Sequence, residues 1–272
     1  MRWLQKLREY ELNYVVPHSI QYLQKLRLYE LNQIVPLIPQ DSKILEIGAG
    51  AGWQAKILAE SGFDVKAIDI QASLYNKDRI WPVVQYDGMI IPFEDDYFDV
   101  VFSSNVLEHI PHIEQFQHEI KRVLKPDGVA IHILPTSVWR FWTIISHYVH
   151  YAKVTLQFLF LKVDNKLSNS QVRESKQSPN QQSIFVTLRN VLFPPRHGEK
   201  GNLITEFYFF SRFHWILLFR KTGWKIEQIL PNQLFYSGYL IFDSLSLEFR
   251  HKISYVLGSP CQVYVMRQQV RE

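Results

Sequence analysis

Three observations predict an open α/β sheet for this chain. Short apolar runs alternate with stretches of helical spacing from residue 43 onward. A Gly-rich turn, Gly48–Gly52, follows the first run, and an acid, Asp69, ends the second about twenty residues later.

The elements follow in chain order. LQKLREYELNYVVP at 4–17 returns as LQKLRLYELNQIVP at 23–36, and in the second copy Leu23, Leu26, Leu31 and Ile34 fall near helical spacing before Pro36. Two copies are too few to build a solenoid, so 1–37 reads as a pair of duplicated amphipathic helices in front of the main domain. Strands are expected at 43–47, 65–69, 82–86, 98–103 and 128–134. A helix carrying Ala55, Ile57 and Leu58 follows the first strand and stops at Gly62. Before the fifth, Ile113, Phe116, Ile120, Val123 and Leu124 share one helical face, and KPDG at 125–128 makes the turn. From 136 to 205 the alternation breaks down, as an aromatic segment runs into a polar stretch at 165–183 with the composition of a mobile loop. A helix near 210–222 and strands at 224–230 and 261–267 resume the pattern, with a second irregular piece at 232–258.

Composition narrows the functional classes. With 272 residues, 47% of them hydrophobic, the chain is long enough for a substantial core. Its formal charge of +4 comes from interspersed acids and bases, without the basic block of a nucleic-acid arm. The single cysteine, Cys261, excludes an intrachain disulfide and a cysteine-rich zinc cage and fits a reducing cytoplasm. Charges at Arg2, Lys6, Arg8, Glu9 and Glu11 leave no apolar signal-peptide core. The aromatic runs at 139–161 and 207–219 are interrupted by Arg140, His147, His150, Lys153, Arg212 and His214, so neither reads as a membrane span, and peripheral contact with a membrane stays open.

The strongest local signal is ILEIGAGAG at 44–52, an apolar strand carrying Glu46 and then Gly48, Gly50 and Gly52 at alternate positions. Such a turn lets a nucleotide-like ligand lie against main-chain N–H groups at a helix N-terminus. A dinucleotide fingerprint would require glycine three residues after Gly50, where Trp53 stands, so NAD and FAD are disfavoured. Asp69, at the end of VKAIDI, occupies the position from which a carboxylate accepts hydrogen bonds from ribose hydroxyls.

The Glu-x-Gly-x-Gly-x-Gly spacing resembles motif I of the class I S-adenosylmethionine-dependent methyltransferases. DGMIIPFEDDYFDVVFSSNVLEHI at 87–110 and RVLKPDGVAIHILP at 122–135 are similar to the corresponding segments of the type 11 methyltransferase-domain family, and the matches cover about 40–135 in order. The resemblance implies a Rossmann-like open sheet of seven mainly parallel strands with the last antiparallel, helices on both faces and an inserted lid. Residues 38–135 would then be the S-adenosylmethionine-binding core, 136–205 the lid or acceptor region, and 206–272 the remainder of the sheet with an insertion at 232–258. It implies further that Glu46, Gly48, Ala49, Gly50 and Gly52 surround the amino-acid end of the cofactor and that Asp69 and Ile70 face the ribose. Asp87, Gly88 and Met89 would face the adenine, and Asn105 the methionine moiety near the transferred methyl.

The acceptor is less constrained. A methyl transfer from a sulfonium needs in-line positioning, and a base only for some acceptors. His109, His112 and His132 are the weak base candidates, because they lie near the C-terminal ends of the fourth and fifth strands. Trp139, Trp142 and Tyr236 are candidates to stack on a ring, and Arg140, Arg196 and His197 to hold an anionic group; no metal ligand set is read. A small-molecule or glycan hydroxyl is the expected acceptor. A cofactor-binding scaffold and an enzyme for a lipid-linked acceptor at a membrane surface are the alternatives. Nucleic acid is not expected, because SSNVLEHI stands where a base-methylating Asn-Pro-Pro-Tyr motif would follow the fourth strand.

Overall fold

The structure, a computed structural model, describes residues 20–71, 73, 78–167, 191–239 and 244–269. The first copy of the N-terminal repeat and most of the polar 165–183 stretch lie outside the described residues.

Strands β1 (Lys43–Ile47), β2 (Asp64–Ile70), β3 (Val84–Tyr86), β4 (Phe98–Ser104) and β5 (Leu124–Pro135) run parallel. β7 (Cys261–Gln268) lies antiparallel between β5 and β6 (Trp224–Pro231), and the sheet order is β3-β2-β1-β4-β5-β7-β6. The helices are α1 (Ile20–Ile34), α2 (Trp53–Glu60), α3 (Ile113–Val123), α4 (Ser137–Leu167), α5 (Glu206–Phe209), α6 (Arg212–Lys221) and α7 (Leu247–Leu257). The expected seven-stranded, mainly parallel sheet with an antiparallel last strand is therefore present.

Successive strand residues point to opposite buried layers, which is why the central strands read as continuous apolar runs. Ile44, Val100, Phe102, Ile131 and Ile133 meet Leu26, Leu31 and Ile34 of α1, Leu58 of α2 and Trp139 of α4. Leu45, Ile47, Val101, Ala130 and Leu134 meet Ile113, Phe116, Ile120 and Val123 of α3 and Trp215, Leu218 and Phe219 of α6. At about 1.5–3 kcal/mol for each large aliphatic side chain buried, the three core residues of α1 fix it to the sheet. The second copy of the repeat is thus part of the main core.

Three local expectations need correction. KPDG is a bulge inside the strand: pairing passes from Phe98 opposite Leu124 to Val100 opposite Val129, leaving Lys125–Gly128 looped out. The region after 136 contains the 31-residue α4, hidden in the sequence because apolar residues occupy both its buried face, as Trp139, and its exposed one, as Phe141, Ile145 and Tyr148. The piece at 232–258 contains α7, whose N-cap Ser246 accepts a hydrogen bond from the Phe249 N–H. Among the described residues no helix is long and apolar enough to cross a membrane.

Candidate functional site

From β1 the sheet order runs outward to β2 and β3, and from β4 to β5, so a crevice opens at the C-terminal ends of these two neighbouring strands. The loop after β1 fills one side of it. Gly48, Gly50 and Gly52 have φ of +71°, +57° and +78°. A Cβ on Gly48 would stand 2.4 Å from Val106 Cγ2 and one on Gly52 2.6 Å from Trp81 Cβ, so both space and backbone conformation demand glycine. The Gly48 and Ala49 N–H groups both donate to the Ile68 carbonyl, at 2.9 and 3.0 Å. Asp69 accepts from the Gly50 N–H at 2.9 Å and, through its other oxygen, from the Ile70 N–H at 2.8 Å. The acid expected to face a ribose therefore also ties the loop to β2, and each oxygen keeps a lone pair for a ligand.

Glu46 is buried near the end of β1, and among the described residues its Oε2 has no hydrogen-bond partner. Burial raises its pKa to about 8, the Ala55 amide opposing and the Asp69 charge reinforcing the shift. A buried acceptor left open beside a glycine turn fits the ammonium end of an amino-acid ligand. Across the crevice, Asp87 Oδ1 accepts from the Met89 and Ile90 N–H groups, both at 2.8 Å, and these bonds hold its pKa below the usual carboxylate range. Gly88 has φ +81°, and Ile70, Met89 and Ile90 are all exposed, giving an apolar wall suited to a flat base. Met89, 54% exposed, is not a core residue.

Asn105, at φ +55°, donates its N–H to the Ile133 carbonyl at 2.8 Å. With its amide oxygen turned to Arg27, it accepts from Nη1 and Nη2 at 2.6 and 3.2 Å. Arg27 was not legible as a site residue. It comes from α1 and pairs through Nη1 with Glu30 at 2.6 Å. Glu30 in turn accepts from the Tyr236 hydroxyl at 2.7 Å and Asn232 Nδ2 at 2.8 Å.

Several acceptor candidates have structural partners instead. Tyr236 is buried in that network, with its hydroxyl 3.0 Å from Cys261 Sγ. Arg140 lies 2.8 Å from Glu206, both side chains at most 1% exposed, an ion pair close in distance without hydrogen-bond alignment. Trp142 donates Nε1–H to the Leu257 carbonyl at 2.9 Å. His132 is buried inside β5, 2.7 Å from Ser103 Oγ, and burial drives its pKa down to about 3. A ring enclosed in the sheet does not reach an acceptor. Arg196 and His112 are exposed, the latter at the N-cap of α3.

His109, His197 and Trp139 do come together. The ring centroids of His109 and His197 are 4.8 Å apart and those of Trp139 and His197 4.4 Å apart. The loop that brings His197 is fastened by Glu206 Oε1, which accepts from the His197 and Gly198 N–H groups at 2.7 and 2.8 Å. The Glu199 N–H then donates to the Glu108 carbonyl at 2.8 Å, laying this loop on the Leu107–His109 turn. Desolvation lowers both histidine pKa values, with Glu199 opposing the shift at His109 and the neighbouring His109, Arg140 and Arg27 adding to it at His197. A cavity of about 30 Å³ bordered by Leu107, Glu108, Phe210 and Trp215 lies at this turn and not at the glycine loop.

Residues 45–132 match the family described as "Methyltransferase domain". The chain is 35% identical over 104 residues to an "uncharacterized methyltransferase" of Mycobacterium avium, a match covering 35% of this chain and 40% of that protein. It is 32% identical over 109 residues to another of Mycobacterium tuberculosis, covering 37% and 41%. The match thus spans about two fifths of the length of these curated relatives. Among solved structures, an S-adenosylmethionine-dependent methyltransferase of Mesorhizobium loti superposes with a TM-score of 0.53 at 13% identity, covering 88% of this chain and 98% of that one. A protein of Pyrococcus horikoshii superposes with a TM-score of 0.52 at 18% identity, covering 96% and 99%. At such identities the likeness is one of fold.

Proposed function

We propose that this chain, whose residues 45–132 match the methyltransferase-domain family, is a class I S-adenosylmethionine-dependent methyltransferase that transfers a methyl group to a hydroxyl of a small molecule or glycan. The observation that carries the cofactor reading is the open Oε2 of buried Glu46 beside the Gly48–Gly52 turn. In this reading Glu46 and the turn hold the amino-acid end of the cofactor, Asp69 the ribose hydroxyls, and Asp87 with the Gly88–Met89 backbone the adenine. Asn105 lies beside the methionine moiety. When bound, S-adenosylmethionine supplies an electrophilic methyl on a sulfonium.

The residues of this chain then serve chiefly to position the acceptor, whose oxygen must be held about 3–3.5 Å from the methyl carbon, opposite sulfur. A hydroxyl acceptor must also lose its proton near the transition state. The test is calorimetric titration with S-adenosylmethionine and S-adenosylhomocysteine, beside Asp69→Ala and an NAD control. Micromolar binding, lost in the variant and absent for NAD, supports the reading; absence of binding to folded wild type refutes it and favours a scaffold role.

One observation favours a second acceptor class. Phe141, Ile145, Tyr148, Val149 and Leu156 of α4 are exposed at helical spacing, with Leu192 and Phe193 also exposed. Such a stripe suits contact with a membrane surface and a lipid-linked acceptor. Co-sedimentation with anionic vesicles, lost in Phe141→Ser/Ile145→Ser, supports this reading, and a protein wholly in the supernatant rejects it.

A further inference from the structure

The turn after β4 contains a group that the methyl-transfer reading does not use. The Glu108 side chain is 1% exposed, and among the described residues neither of its carboxylate oxygens has a hydrogen-bond partner. Its Oε1 is 3.8 Å from His109 Nε2, and one ligand-type atom from each of Glu108, His109 and His197 lies within 4.8 Å of the others. A buried carboxylate with no donor is among the costliest arrangements a fold can retain. The surrounding charges relieve it only in part: Arg27 acts on it through space but is paired with Glu30 at 2.6 Å, Arg140 is paired with Glu206 at 2.8 Å, and Glu199 adds a further negative charge near His109. Glu108 is therefore the carboxylate left over when the nearby ion pairs are matched.

We infer that Glu108, His109 and His197 bind one divalent transition-metal cation at the acceptor side of the cleft. Two imidazoles and a carboxylate on one side of an ion are a donor set for Mn²⁺, Fe²⁺, Co²⁺ or Zn²⁺, and they leave coordination positions open. Bonds of about 2.0–2.2 Å require the ligand atoms to close by roughly 1–1.5 Å. His109 and His197 are both exposed on their outer side, so small rotations suffice, while Glu108 is held in place by burial. Resting on the methyl-transfer reading, the inference extends to the acceptor: coordination positions left free by the three side chains suit a substrate with two neighbouring oxygens, such as a vicinal diol or an α-hydroxy acid.

The test uses the untagged full chain after dialysis against a chelator, titrated with Co²⁺ and followed by its visible d–d absorption, with calorimetry using Mn²⁺. One equivalent bound in the micromolar range is expected, weakened by more than about 100-fold in Glu108→Gln and in His197→Ala; melting curves and S-adenosylhomocysteine binding report whether each variant is folded. Absence of saturable Co²⁺ binding to wild type that still binds S-adenosylhomocysteine overturns the metal site and leaves the methyltransferase reading standing. Co²⁺ binding unchanged in both variants also overturns it, by placing the ion elsewhere. Metal binding that depends on Glu108 in a protein with no affinity for S-adenosylhomocysteine supports the site and removes its assignment to methyl transfer.

Discussion

The two sides of the cleft are built differently. On the cofactor side the positioning groups are close in sequence: the β1 turn, Asp69 tied to Gly50, and Asp87 bonded to residues two and three positions on. On the acceptor side they come from far apart, as Arg140 of α4 meets Glu206, His197 meets Trp139 and His109, and the Glu199 N–H meets the Glu108 carbonyl. The cofactor side thus depends on backbone geometry and the acceptor side on buried charge pairing. Perturbing one should leave the other measurable.

The largest effect is expected on the acceptor side. Glu206→Gln keeps an acceptor for the His197 and Gly198 N–H groups but leaves the Arg140 guanidinium buried without its counter-charge. A loss of about 3–5 kcal/mol in denaturant-measured stability is expected, because an unpaired buried charge loses far more than the pair contributes. Adding Arg140→Met should recover most of it. At a temperature where the single variant remains folded, its affinity for S-adenosylhomocysteine should stay within about twofold of wild type. A large fall in that affinity would break the separation between the two sides.

Gly48→Ala is the matching perturbation of the cofactor side. The new Cβ meets Val106 Cγ2 and the backbone is held at φ +71°, so strain and overpacking together cost about 1–3 kcal/mol. Calorimetry should register this as a fall of at least tenfold in S-adenosylhomocysteine affinity, with the Arg140–Glu206 region intact. Unchanged affinity would mean that the ligand does not depend on this turn.

Glu46 sharpens the comparison through pH. Its pKa is about 8 in the folded protein and about 4.3 in an unstructured chain. Between those values the folded state binds more protons than the unfolded one, so ligand-free stability falls as pH rises from about 4.5 to 8. Glu46→Gln should remove this dependence and gain on the order of 1–3 kcal/mol near pH 7.5. Parallel stability curves for variant and wild type across this range would show that Glu46 is not held protonated by burial.

The same contrast explains what the sequence revealed. Glycines at alternate positions and an acid at a strand end are local requirements, so ILEIGAGAG and VKAIDI displayed the fold and the cofactor loop together. Arg27, Glu30 and Glu108 left no such signal. Arg27 and Glu30 look like ordinary exposed charges of an amphipathic helix, and only tertiary packing brings them against Asn105 and Tyr236. Tyr236, Arg140 and His132 erred the other way: residue types common in binding sites proved to be buried and engaged with Glu30, Glu206 and Ser103. Residue type suggested chemistry, but the partner decided it. His197 lies nearly ninety residues beyond His109, and the two rings meet because Glu206 anchors the His197 loop and the Glu199 N–H ties it to the Glu108 carbonyl.

Met89 gives the smallest expected effect and a test of the adenine wall alone. Its side chain is 54% exposed at the crevice, while its N–H is already satisfied by Asp87. Met89→Ala therefore removes apolar surface without disturbing the turn, and stability should change by less than about 0.5 kcal/mol. If the side chain covers one face of a bound base, its loss should weaken S-adenosylhomocysteine by roughly two- to fivefold, the effect of about 0.5–1 kcal/mol of forfeited contact. Measuring adenosine alongside separates the adenine contribution from that of the amino-acid end: both ligands should weaken by the same factor, because Met89 stands across the crevice from Glu46. Equal affinity of variant and wild type for both would remove Met89 from the site, leaving Ile70 and Ile90 as the remaining exposed apolar candidates for the wall.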